Sequence, residues 1–82
     1  MIVPDDYLCE VRDRLAAATA GPWRSFVEGR DHESGSNFIM TAANDIELIG
    51  ASVADQDFIA NARQDVEILL VELERLRAIK NR

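Results

Sequence analysis

The chain has 82 residues, 48% apolar and 29% charged, with 15 Asp plus Glu against 9 Lys plus Arg and a formal charge of −6, the make-up of one small globular domain rather than a disordered chain. No apolar run approaches the ~20 residues that a bilayer-crossing helix needs, and the acidic start Met1-Ile-Val-Pro-Asp-Asp6 lacks the basic region of a secretion signal, so a cytoplasmic protein without a membrane partner is expected. An acidic surface repels phosphates, which disfavours direct nucleic-acid binding and makes a basic protein face the natural partner.

In chain order, a first helix is predicted over Asp5 to Thr19, where Leu8, Val11, Leu15 and Ala18 recur by three and four along one face. Pro4, Asp5 and Asp6 suit its positive end, and Gly21-Pro22 stops it. Glu10, Arg12, Asp13 and Arg14 fall on or near its wet side. Two strands are predicted next, Trp23 to Glu28 and Asn37 to Thr41, which hold the Trp, two of the Phe, Val27, Ile39 and Met40. The polar run Gly29-Arg-Asp-His-Glu-Ser-Gly-Ser36 between them reads as a long, solvated hairpin loop. Ile46 to Ala51 is the expected third strand, reached by a short turn through Asn44 and Asp45.

The remainder reads as two helices. Val53 to Arg63 carries Ala54, Phe58, Ile59 and Ala62 at helical spacing behind a Ser52-x-x-Asp55 cap. Asp65 is then expected to cap a last helix with Val66, Leu69, Leu70, Leu73 and Leu76 on its inner face. Ile68, Val71 and Ile79 widen that face beyond what a small sheet covers, and they form a candidate homodimer face. The expected fold is α+β over residues 1–82: a helix, a three-stranded antiparallel sheet and two C-terminal helices.

Reactive groups are few. Cys9 is the only cysteine, so neither an intramolecular disulfide nor a cysteine zinc site can close within one chain. His32 is the only imidazole, and in Asp31-His32-Glu33 consecutive extended side chains point alternately, which is poor metal geometry. No metal, cofactor or catalytic set is expected. The loop group Glu28, Arg30, Asp31, His32 and Glu33 is a candidate partner-binding site, set against a solvated hairpin tip. Arg63 with Gln64 and Asp65 could grip an anion, but an internal salt bridge from Arg63 to a carboxylate such as Asp57 or Asp65 accounts for it more simply. Trp23 could stack on a base, and core packing is the simpler role. Residues 1–62 carry 11 acids and 4 bases, while residues 63–82 carry 4 and 5, so the negative field belongs to the first three quarters of the chain.

Three phrases, Ala18-Thr-Ala-Gly-Pro-Trp23, Asp57-Phe-Ile-Ala-Asn-Ala-Arg-Gln-Asp-Val66 and Leu73-Glu-Arg-Leu-Arg77, resemble small, mostly uncharacterised proteins of phages, prophages and integrons, some of them immunity partners of polymorphic toxins. Those relatives often have Pro soon after the Asp-Val pair, where Glu67 stands here. With the size, the charge and the shortage of reactive groups, the resemblance implies a non-catalytic acidic protein-binding module, an immunity protein neutralising a toxin with a basic cleft. The alternatives are a self-associating accessory protein of a mobile element and a phage inhibitor of host defence.

Overall fold

The computed structural model describes residues 2–80; Met1, Asn81 and Arg82 lie outside them. The elements run α1 (Asp5–Ala17), β1 (Arg24–Phe26), β2 (Phe38–Met40) and α2 (Val53–Lys80). This is an α+β arrangement in which one long helix serves both other layers.

α1 begins directly after Pro4, with Asp5 and Asp6 in its first turn and Arg14 in its last, each sign opposing the local end of the helix dipole. It ends two residues before the expected Thr19. Ala18 is already extended at ψ 154°, and its N–H closes the helix on the Arg14 carbonyl at 3.1 Å. Leu8 is buried while Val11, Leu15 and Ala18 are half-buried, so the spacing by three and four does mark the packed side.

β1 and β2 pair antiparallel, with Arg24 opposite Met40, Ser25 opposite Ile39 and Phe26 opposite Phe38. The expected third strand shrinks to one residue. Ile46 exchanges both backbone hydrogen bonds with Ile39 at 2.8 Å, and the ladder goes no further. Gly50, at φ 81°, redirects the chain toward the start of α2, and Ile49 just before it stands fully in solvent. Ile39, flanked on both edges, is completely buried and is the centre of the small sheet.

α2 starts with the expected reciprocal cap: Asp55 N–H donates to Ser52 Oγ at 3.0 Å, and Ser52 N–H donates to the Asp55 carboxylate at 3.2 Å. The joint expected at Gln64 and Asp65 is not formed, and a single helix of 28 residues replaces the two. Nothing between Val53 and Lys80 is Gly or Pro, so every residue can continue the main-chain ladder.

The first half of α2 carries the sheet and the second half carries α1. Gln56 and Ala60 are buried against the strands, and Leu70 is buried at the α1 contact. α1 runs antiparallel to α2: Asp5 is ion-paired with Arg77, Arg12 with Glu74, and Thr19 near the far end accepts from Arg63. Leu69, expected on the inner face, is instead 67% exposed. The result is a rod of 53 × 22 × 19 Å with a radius of gyration of 15.8 Å, against about 12 Å for a compact domain of this length.

Candidate functional site: a folded acidic loop and an apolar groove

The loop 29–36 is built from its own polar groups. Gly29, at φ 80°, turns the chain so that its N–H reaches the His32 carbonyl at 2.8 Å, while the Val27 carbonyl accepts from Arg30 and Asp31 N–H at 3.1 and 2.8 Å. The Asp31 carboxylate accepts from Val27 N–H at 2.8 Å and from Arg30 Nε at 3.0 Å. Arg30 then crosses to α2 and grips Asp57 through both terminal nitrogens, at 2.8 and 3.0 Å. The fork fits the carboxylate at two points, which fastens the loop to the helix. Hydrogen bonds from Arg30, then from Ser25, hold the Asp57 carboxyl down at about 2, and Arg30 and the Val27 amide lower Asp31 as well.

His32 turns inward. Its ring lies 6.2 Å from Phe26 and 5.1 Å from Phe38, centroid to centroid. Nδ1 accepts from Ser34 N–H at 3.0 Å and lies 2.6 Å from Ser34 Oγ. Glu28 closes the other end of the loop, its carboxylate accepting from Gly35 N–H at 2.7 Å and its N–H donating to Asn37 Oδ1 at 2.8 Å. Of the five residues expected to meet a partner, Glu28, Arg30, Asp31 and His32 therefore hold the loop in shape, and Glu33 is exposed and takes no part in these contacts. The loop is solvent-exposed as expected except at His32, but its side chains are engaged with one another and with α2: polar contacts here replace the apolar contacts that so short a sheet cannot make.

Arg63 is engaged, as the simpler sequence reading had it, but with other partners. Its Nε donates to the Thr19 carbonyl at 3.1 Å and its Nη1 to Glu67 at 3.3 Å, one helical turn on, while Asp57 belongs to Arg30. Trp23 is half-buried just before β1, with its indole N–H on the Thr19 carbonyl at 3.0 Å. Ile68, Val71 and Ile79 are at least half exposed on α2 and turn away from α1.

One surface was not singled out from the sequence. Between α1 and α2 runs an apolar groove of about 550 Å³, lined by Tyr7, Val11, Leu15, Val66, Leu69 and Leu73 among others, with Arg14 on its α1 margin. Its signal was present in Val66 and Leu69, whose spacing continues that of the packed residues. Where α1 would stop covering them could not be read from spacing. On the outer side of α1, Asp6, Glu10 and Asp13 stand one turn apart, all exposed.

Among the described residues no three His, Cys, Asp or Glu side chains converge in a way that could hold a metal ion, and no helix is long and apolar enough to cross a membrane. Comparison with protein-family models, curated proteins and solved structures finds no match.

Proposed function

We propose that this protein is a non-catalytic acidic binding module that neutralises a toxin by presenting negative charge to its basic cleft, the role of an immunity protein. The observation that carries the reading is the distribution of ion pairs. Arg12, Arg30, Arg63, Arg75 and Arg77 each bind a carboxylate of this same chain. Asp6, Glu10 and Asp13 on α1, with Glu33, Asp45 and Glu47 at the sheet end, are exposed and have no ion pair among the described residues. Those five bases are thus neutralised internally; among the described residues Arg14, Arg24 and Lys80 are the bases without an ion pair, and the more numerous unpaired acids set the sign of the outward field. A field of that sign speeds encounter with a basic surface, and carboxylates one helical turn apart can occupy the positions at which a cleft would take phosphates. The folded loop supports a binding role over an enzymatic one, because its single imidazole packs against the stacked rings of Phe26 and Phe38 with Nδ1 already occupied. Such a module acts in the cytoplasm and needs neither lipid nor cofactor.

The test is to recover a partner by co-expression with the neighbouring gene product and to measure association with Asp6, Glu10 and Asp13 changed to Lys. The association rate should fall at low salt, and the difference from wild type should shrink as salt rises. A partner whose association rate ignores all three substitutions at low salt removes the reading. The exposed apolar surface of α2 favours a second reading, a self-associating accessory protein of a mobile element.

A further inference from the structure

We propose that a second copy of this chain covers the groove between α1 and α2, forming a four-helix dimer through Tyr7, Val66, Leu69, Leu73 and Leu76. The inference does not rest on the toxin-binding reading, because it concerns the groove beside α2 rather than the outer side of α1 that bears Asp6, Glu10 and Asp13.

Spacing comes first. Val66, Leu69, Leu73 and Leu76 recur by three, four and three, the repeat by which a helix presents a seam to another helix, with a β-branched residue and leucines at the seam positions. α1 takes only the flank of this seam. Leu70 is 8% exposed beneath it, whereas Leu69 is 67%, Leu76 49% and Val66 38% exposed, and Tyr7 on α1 opens to the same side at 50%.

Area comes second. The chain exposes 6182 Å², whereas a compact monomer of this mass exposes about 4,900 Å². The excess, about 1,300 Å², exceeds the ~800 Å² that each partner gives to a standard interface. Among the described residues the buried apolar side chains are Leu8, Val27, Ile39, Ala60 and Leu70, a small core, and domains of about 80 residues or fewer can make up such a deficit by oligomerising.

The occupant follows from both points and from charge. A deficit in the fold itself must be met wherever the chain is made, and only its own copy is always present there. Residues 63–82 carry 4 acids and 5 bases, so two copies can approach along this half without the repulsion expected from the charge of the whole. The groove margins also match. With a two-fold axis along the helices, α1 of each copy lies over α2 of the other. Arg14 on the α1 margin then faces the margin that bears Asp65 and Glu72, the residues just beyond Leu69 around the helix.

The test uses the full chain alone. Sedimentation at about 10 µM should give a dimer, and Leu69→Glu should weaken it by about 100-fold or more, since it places a charge at the buried centre. Ile68→Glu, on the far side of α2, should leave the dimer intact. If Leu69→Glu fails to fold, the wild-type thermal midpoint still decides, because a dimer's midpoint rises with concentration. A wild-type monomer up to about 100 µM with a constant midpoint overturns the proposal. So does a dimer that survives Leu69→Glu and is lost in Ile68→Glu, which would assign the interface to Ile68, Val71 and Ile79. No toxin enters these measurements, so their failure is distinct from failure of the immunity reading.

Discussion

The side-chain amide of Gln64 binds both backbone groups of Trp23, accepting from its N–H at 2.7 Å and donating to its carbonyl at 3.0 Å. A helix side chain thereby does for Trp23 what a neighbouring strand would do, and it pins the segment between α1 and β1 to the middle of α2. Gln64→Ala leaves both half-buried backbone groups without their partner, and a loss of about 1–3 kcal/mol is expected. Urea denaturation of the two proteins at one concentration measures it. An unchanged midpoint would mean that water replaces the amide without cost.

Gln56 performs the equivalent task for the sheet. It is only 4% exposed, and its Nε2 lies 2.9 Å from Ser25 Oγ and 3.2 Å from both the Phe26 and Phe38 carbonyls. Gln56→Met keeps the length but removes the donor, so two strand carbonyls lose a partner in a dry site and stability should fall by about 1–3 kcal/mol. Amide exchange should quicken at Ile39 and Ile46 if the sheet loosens with it.

The Arg30–Asp57 pair predicts an acid-sensitive loop. Asp57 is held at about 2, and Asp31 is lowered too, both below ordinary carboxylate values. A group depressed on folding contributes stability that is complete above its unfolded value near ~4 and is lost as pH falls through the folded value. Protection of the 29–36 amides should therefore persist at pH ~5 and disappear toward pH ~2. Asp57→Asn should weaken protection already at neutral pH and flatten its acid dependence. An Asp57→Asn profile that superimposes on wild type would show that the pair does not hold the loop.

The two neighbouring leucines of α2 should behave differently. Leu70 is buried under α1, so Leu70→Ala should cost about 2–5 kcal/mol, a large part of a small domain's stability. Leu69→Ala should change the folding of a single chain by less than about 1 kcal/mol while weakening self-association. Denaturation across a concentration series separates the two effects, and equal losses for both variants at high dilution would contradict the assigned faces.

Features carried by a few adjacent residues were legible. Pro4 with two aspartates marks the start of α1 through fixed backbone geometry and the helix dipole, and Ser52 with Asp55 marks the start of α2 through a capping contact between residues three apart. The third strand stops at one residue, since Ile46 has the right character but its neighbours pair only if the chain stays beside β2. The expected joint at Asp65 failed for a similar reason. An aspartate can cap a helix or ride on its surface, and only an intervening break would have forced the first.

The sequence by itself determined the α+β class, the amphipathic side of α1, the span of the polar loop and the sign of the protein's field, since each depends on residue type and spacing along one segment. Tertiary structure alone decided which groups are left over. Arg30 meets Asp57 from 27 residues away, Arg63 meets Thr19 from 44, and His32 settles against two stacked phenylalanines from different strands. It likewise decided that α1, at 13 residues, shields only one flank of the 28-residue α2. Charge and hydrophobicity are properties of residues, but whether they remain available to a partner depends on what the rest of the chain brings against them.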